Sequence, residues 1–90
     1  MRIVAHSELE QERATLGKAE RDIADGERRI AEQEVLIERL RVDGQPTAVA
    51  EALLTTLHGT LDGWRAHRRE ILRRIDYLTA TPDRSATAEI

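Results

Sequence analysis

Apolar residues in the first half of the chain recur at every seventh position. The row consists of Leu9, Leu16, Ile23, Ile30 and Ile37. A strict seven-residue repeat keeps one stripe of a helix facing one partner helix. The positions three residues further on are mostly small or polar, namely Glu12, Ala19, Gly26, Gln33 and Leu40. The pattern therefore predicts a first helix over about residues 7–42, with one strong and one thin core row.

The predicted limits of this helix rest on capping residues. Ser7, followed three positions later by a glutamate, has the spacing of a capping box at a helix start. After the periodic segment, Gly44 can adopt the left-handed conformation that ends a helix, and Pro46 resists continuation. Thr47 is suited to cap the helix that follows. We expect residues 1–6 to form an N-terminal extension.

The second half carries a longer apolar row whose spacing alternates between four and three. Its members are Ala50, Leu54, Leu57, Leu61, Trp64, Arg68, Ile71, Ile75 and Leu78. Only Arg68 is charged. The residue before Pro82 is disfavoured in the α region, so this helix is predicted to end near residue 80. The expected boundaries are a loop at 43–47, a second helix over about 48–80 and a flexible tail at 81–90.

Two periodic segments of similar length, joined by a short loop, predict an all-α fold, an antiparallel two-helix coiled-coil hairpin. If the numbers of facing residues sum to about 90, large side chains meet small ones along the seam. In that register Gly26 faces Trp64, and Ala19 faces Ile71. We expect the indole ring to fill the space that the glycine leaves.

A second set of apolar residues lies outside the two seam rows. The set comprises Val35, Leu36, Val42, Val49, Leu53, Leu72 and Tyr77. Leu36, Val49 and Leu53 fall near the loop, and exposed apolar surface of this kind usually meets another chain. They are candidate partner-binding residues. The expected partner is a second copy, giving a homodimeric four-helix bundle, or else another helical protein.

Arginine accounts for thirteen of the fourteen basic residues, and five of these lie close together in the second helix. The candidate partner-binding arginines are Arg65, Arg68, Arg69, Arg73 and Arg74. One interpretation is ion pairing with acids of the first helix that lie across from this region, namely Glu20, Asp22, Asp25 and Glu27. In this interpretation Arg68 turns to Asp22 and Glu27. The other is contact with an anionic partner. The net charge of -3 argues against nucleic acid as that partner.

The sequence offers little for catalysis. It has no cysteine and three histidines, and His67 with Glu70 reverses the Glu-x-x-His order of di-metal bundles. Gly59 and Gly63 lie within the second helical segment and not in a phosphate-binding loop. We therefore predict no catalytic residue, no cofactor-binding residue, no metal ligand and no enzymatic activity.

Membrane insertion is not predicted either. No apolar run approaches the roughly 20 residues that span a bilayer, and the first residues lack the apolar segment of a secretory signal. The expected location is the cytoplasm.

A set of segments distinguishes the part of the chain over roughly residues 15–78. The segments are Glu27-Arg28-Arg29-Ile30-Ala31-Glu32-Gln33-Glu34-Val35-Leu36-Ile37-Glu38-Arg39-Leu40, Gly44, Thr47, Ala52-Leu53-Leu54 and His67-Arg68. In these segments the chain resembles a group of short helical-hairpin proteins of Gram-negative, especially α-proteobacterial, type, whose function is unknown. The resemblance implies a small bacterial cytoplasmic protein and no particular activity.

These observations favour a non-catalytic module for self-association and protein interaction, with a structural or regulatory role. The alternative is a nucleic-acid-associated helical protein that uses the Arg65–Arg74 region. A metal-dependent bundle enzyme is a third and more remote class.

Overall fold

The fold consists of two long helices that pack against each other. The computed structural model describes residues 2–89, with side chains described for 7–80. Helix α1 spans Arg2–Val42 and helix α2 spans Ala48–Glu89, and no strand occurs within this range. The predicted all-helical hairpin is thereby confirmed.

Both helices extend beyond their predicted outer ends. Helix α1 begins at Arg2, so Ser7 lies inside the helix and is not its cap. Residues 2–6 contain no glycine or proline, and nothing in their sequence interrupts the helical hydrogen bonds. Helix α2 continues through Pro82 to Glu89. A proline removes one intrahelical hydrogen bond, and here that loss does not end the helix.

The connection between the helices is a compact glycine-containing turn. Gly44 has a φ of 70°, in the left-handed region that favours glycine. Its N–H donates to the carbonyl of Arg41 at 3.1 Å, and the N–H of Gln45 donates to the carbonyl of Leu40 at 2.8 Å. These two bonds form a Schellman motif, which satisfies carbonyls at the end of α1. The tight turn returns α2 along α1.

Thr47 stands at the start of α2, but its hydroxyl does not cap the backbone. The N–H of Glu51 donates to the Thr47 carbonyl at 2.8 Å, which begins the helical bonding pattern. The Thr47 hydroxyl instead donates to the carboxylate of Glu51 at 3.1 Å. The acidic side chain lies in the first turn of α2, where the helix dipole favours negative charge.

The seam follows the predicted rows. All ten row positions of α1 and all nine of α2 are buried or partly buried. Between 48 and 80, Leu72 is the only other residue of α2 that is not exposed. The most deeply buried residues are Ala19, Ile30, Gln33, Ile37, Leu61 and Ile71. The core is therefore one layer of side chains between two helices.

Ion pairs between the helices confirm that they run antiparallel. Glutamates at 12, 20 and 27 of α1 pair with arginines at 74, 68 and 65 of α2, in that order. Numbers that rise in one helix fall in the other, as an antiparallel hairpin requires.

The predicted contact between Gly26 and Trp64 is wrong. A Cβ atom on Gly26 would lie 3.4 Å from Cδ1 of Leu61, and no Trp64 atom is among its nearest neighbours. In interlocking packing, a side chain enters the space between residues of the facing helix and does not sit opposite one residue. A simple one-to-one register therefore misplaces the partner by about one turn, and Leu61 covers the glycine.

Gln33 is the one polar residue buried in the core among the described side chains. Its amide Nε2 donates to the backbone carbonyl of Ala50 at 2.8 Å. The bond joins the core of α1 to the first turn of α2, and it satisfies a buried amide that would otherwise destabilise the seam.

Candidate functional site

The seam leaves two long flanks with different chemistry. In a seven-residue repeat, the residues that directly follow the second core row lie on one side of the seam. The residues that directly precede the first core row lie on the other side. We call the first side the ionic flank, which carries Glu20, Glu27, Arg41, Glu51, Arg65 and Arg68. We call the other side the apolar flank, which carries Gly26, Leu36, Leu53, Leu57, Thr60 and Trp64.

Arginines of α2 reach glutamates of α1 across the ionic flank. The distance from Nη2 of Arg65 to Oε2 of Glu27 is 3.1 Å. Arg68 reaches Oε2 of Glu20 from Nη2 at 3.2 Å and from Nε at 3.3 Å. The prediction that Arg68 turns to Asp22 and Glu27 is therefore wrong. The guanidinium projects to the side of the seam on which Glu20 lies, whereas Asp22 lies on the apolar flank.

Two more of the five candidate arginines are also paired. Nε of Arg74 lies 3.0 Å from Oε1 of Glu12. Arg73 pairs with Glu70 within α2, and its hydrogen bond and charge lower the pKa of the Glu70 carboxyl. Arg69 has no ion pair or side-chain hydrogen bond among the described residues. The arginine region is therefore mostly occupied by the protein's own carboxylates.

A wide hollow on the ionic flank brings three arginines close together. It is lined by Arg65, Arg68 and Arg69 together with Glu20 and Ile23. Two of the three guanidinium groups are already bound to glutamates, and their side chains are 47% and 41% exposed. An anion would have to compete with those glutamates in solvent, where each ion pair contributes about 0–1 kcal/mol.

The apolar flank has a notch where Gly26 lacks a side chain. The notch is lined on the α2 side by Leu57, Thr60, Leu61 and Trp64, and on the α1 side by the charged side chains of Asp22, Asp25 and Arg29. Because the thin row of α1 provides little cover here, Leu57 and Trp64 are only partly buried, whereas Leu61 is enclosed. The notch is shallow and open, and it lacks the enclosure of a small-molecule pocket.

Trp64 marks the centre of the apolar flank. Nζ of Lys18 lies 5.2 Å from the centroid of the indole ring, within the range of a cation–π contact. The imidazole of His67 meets the same ring edge-on, with centroids 5.9 Å apart and an interplanar angle of 63°. The repeat pattern assigned Trp64 to the core row and did not indicate its cluster with Lys18 and His67. The seven-residue repeat does place Lys18 on the same flank as Trp64.

Exposed large apolar side chains concentrate near the loop. Leu36 is 45% exposed, Leu53 is 48% exposed and Val49 is 86% exposed. These three residues form the loop-end patch. Leu36 and Leu53 lie at the same height on the apolar flank, and Val49 lies beside them on α2. Val35 and Val42 are also exposed, and they line a separate apolar hollow on the outer side of α1.

The histidines are dispersed in the structure. His58 is exposed and His67 packs on Trp64, while His6 lies outside the residues whose side chains are described. Within that described range, no three histidine or acidic side chains are grouped as a metal ion would require. The described helices also contain no segment apolar and uncharged enough to cross a membrane.

Among the described residues, the main surface features are thus the two flanks and the loop-end patch. A comparison with protein-family models, with curated proteins and with solved structures finds no match.

Proposed function

We propose that this chain is a non-catalytic module for self-association and protein interaction, with a structural or regulatory role as a homodimer in the cytoplasm. The observation that carries the proposal is the loop-end patch. Leu36, Val49 and Leu53 are large exposed apolar side chains, and their repeat positions place them on one side of the hairpin. Apolar surface that is contiguous in this way favours contact with another chain.

The thin core supports the same proposal. Only six described side chains are buried, and Ile71 is the only large one that is completely enclosed. Two helices in a single layer leave one side of every partly buried seam residue near water. Packing a second hairpin against the first would remove that surface from solvent, at roughly 25 cal/mol for each Å² of apolar area. A four-helix bundle is the arrangement that does this.

The loop-end patch and the arginine region differ in whether their side chains already have partners within the chain. Four of the five candidate arginines are engaged by glutamates of the same chain. The apolar side chains of the patch have no such internal alternative, since they can leave water only by meeting another surface. We therefore assign the interaction to apolar contact and give the arginines an intramolecular role.

The test is the mass of the protein in solution across about 1 to 500 µM. We expect a species of twice the 10.2 kDa chain mass at high concentration, with a melting temperature that rises with concentration. Leu53→Glu should raise the dissociation constant at least about tenfold, because it places a charge in the apolar contact.

Ala66→Glu is the matched control. It adds the same charge to the same helix, at an exposed position outside the patch. It should leave the dissociation constant within about twofold of the unmodified protein. A well-folded monomer of 10.2 kDa at every concentration would contradict the proposed function.

A further inference from the structure

We infer that a second copy of the chain docks on the apolar flank, lying alongside it with the two loops at the same end. The inference rests on the proposed function and adds the face and the orientation of the dimer. The first argument is that the apolar features of this flank are continuous. The loop-end patch, the notch at Gly26 and the exposed edge of Trp64 follow one another along a single side of the hairpin.

Charge on the rim of the apolar flank is already balanced within each chain. Nζ of Lys18 lies 2.9 Å from Asp22, and Nε of Arg29 lies 3.0 Å from Asp25. At the open end of the hairpin, Arg74 pairs with Glu12 on the same side. A second copy would therefore meet a rim without a local excess of either sign, which keeps the repulsion between identical surfaces small.

The ionic flank is a poorer face for a second copy. Its hollow gathers Arg65, Arg68 and Arg69 around one glutamate, and Arg69 has no carboxylate partner among the described residues. Two copies that met there would bring like charges together and would also have to remove water from half-exposed ion pairs. Both effects oppose association.

The orientation follows from the unequal ends of the apolar flank. With the two loops at the same end, Leu36 of one copy lies opposite Leu53 of the second copy, and the apolar ends meet. At mid-length, Asp22 then lies opposite His67 of the second copy, so no like charges are opposed there. With the loops at opposite ends, the loop-end patch would face the Arg74–Glu12 pair, and charges would be buried against leucine.

The length of the hairpin provides enough contact area. Its longest extent is 73 Å, and a helical flank about 10 Å wide over that length covers about 700 Å² per copy. Stable dimers bury roughly 600–1,000 Å² on each partner, and the full length of the flank falls within that range. Side-by-side docking along the whole flank is therefore needed, and contact through the loop-end patch alone would fall well short.

The chain contains no cysteine, so cross-linking through introduced pairs can locate the interface without background. We would mix separately prepared Leu36→Cys and Leu53→Cys proteins at a concentration where the dimer predominates, and then oxidise them. We expect a disulfide-linked heterodimer as the main product. The helical circular dichroism signal of each variant verifies that it is folded.

The matched control lies at the same height on the opposite side. Glu34 and His58 are both exposed, one heptad from the Glu27–Arg65 pair. A mixture of Glu34→Cys and His58→Cys proteins should give at least about tenfold less heterodimer than the first mixture. A preference for this pair would overturn the inference while leaving the proposed function intact.

A third mixture tests the orientation. Thr15 lies near the open end of the apolar flank, so a preference of Leu36→Cys for Thr15→Cys over Leu53→Cys would show that the loops lie at opposite ends. That result would overturn the inference while leaving self-association in place. A chain that remains monomeric would overturn both proposals.

Trp64, the single tryptophan, gives an independent measurement on the unmodified protein. It lies on the apolar flank and is partly exposed in the hairpin. Docking on this flank removes the indole from water, so we expect its emission to shift to shorter wavelength as the dimer forms. A dimer that forms with no shift in Trp64 emission would overturn the assignment of the face.

Discussion

The loop half and the open half of the hairpin are built from the same two helices but are held together differently. From mid-length, where Glu27 pairs with Arg65, to the open end, three glutamates of α1 pair with three arginines of α2 at 3.0–3.2 Å. Between mid-length and the loop, the only pair between the helices among described residues is Arg41 with Glu51, at 3.7 Å. Among the side chains described for 7–80, exposed large apolar residues show the opposite distribution, since five of the six lie near the loop.

The two halves of this thin two-helix core are therefore held together by different interactions. The turn at Gly44 already holds the helices together at the loop end, so the flanking positions there are free to carry leucine and valine. The far end has no covalent connection. There, complementary charges favour one register, although each exposed pair adds at most about 1 kcal/mol. Complementary charges therefore select the register towards the open end, and exposed apolar side chains lie near the loop.

The largest expected effect comes from the core of the open half. Ile71→Ala should lower the free energy of unfolding by about 2–5 kcal/mol, because the side chain is fully enclosed and its removal leaves a cavity. Ile37→Ala is the matched change in the loop half, where the turn keeps the helices close and the site can collapse. Urea unfolding at one fixed protein concentration measures both. A larger loss of unfolding free energy for Ile37→Ala than for Ile71→Ala would contradict the expectation that the open half depends more strongly on side-chain packing.

The next effect concerns the buried hydrogen bond of the loop half. Gln33→Glu removes the N–H that donates to Ala50 and leaves a carboxylate facing a carbonyl. We expect a loss of about 1–3 kcal/mol at neutral pH. Burial should raise the pKa of the new carboxyl, so stability should be regained below its unfolded pKa and lost as pH rises through the folded value. Urea unfolding at acidic and neutral pH tests this, and a pH-independent loss would contradict it.

A smaller effect is expected where the two halves meet. Gly26→Ala should raise the free energy of unfolding by up to about 1 kcal/mol, since the new methyl group makes ordinary contact with Leu61 and helix propensity improves. Gly26→Leu should lower it by about 1–3 kcal/mol through overpacking. Thermal unfolding distinguishes the two outcomes. Gly63→Ala is the control, because nothing lies within 4 Å of that position. If Gly26→Leu instead raised the free energy of unfolding, Leu61 would not fill the space beside Gly26.

The smallest effect is expected for a single ion pair of the open half. Arg68→Glu places a second carboxylate beside Glu20 and should cost up to about 1 kcal/mol at low salt. The exchange of both charges, Arg68→Glu with Glu20→Arg, should restore most of that loss, and the difference should shrink at high salt. Arg68→Leu should keep or raise stability, because the stem of the side chain already lies in the seam. An uncharged replacement that unfolds the protein would contradict a register-selecting role.

Sequence periodicity predicted the seam well, for a simple reason. A helix places every seventh residue on the same side whatever it packs against, so the rows beginning at Leu9 and Ala50 were readable without coordinates. The turn at Gly44 was readable as well, because few residues other than glycine adopt its backbone conformation. The outer ends of the two helices could not be predicted in the same way, because Ser7 and Pro82 have local preferences that a long helix overrides.

Contacts across the seam required the tertiary structure. Repeat positions specify which side of a helix a residue lies on, but not how far the facing helix slides along it. A shift of about one turn replaces Trp64 by Leu61 over Gly26 and directs Arg68 to Glu20. The loop-end patch is intermediate between these cases. Sequence placed Leu36, Val49 and Leu53 outside the seam, and only the folded hairpin revealed how exposed each one is.

The amino-acid sequence by itself thus determined the helices, their core rows and the turn between them, because these depend on neighbours along the chain. The tertiary structure decided the register, the buried bond from Gln33 to Ala50 and the contrast between the two flanks. Those features depend on how side chains of different size interlock across the seam. Interlocking is a property of two helices together, which the pattern of either one alone does not contain.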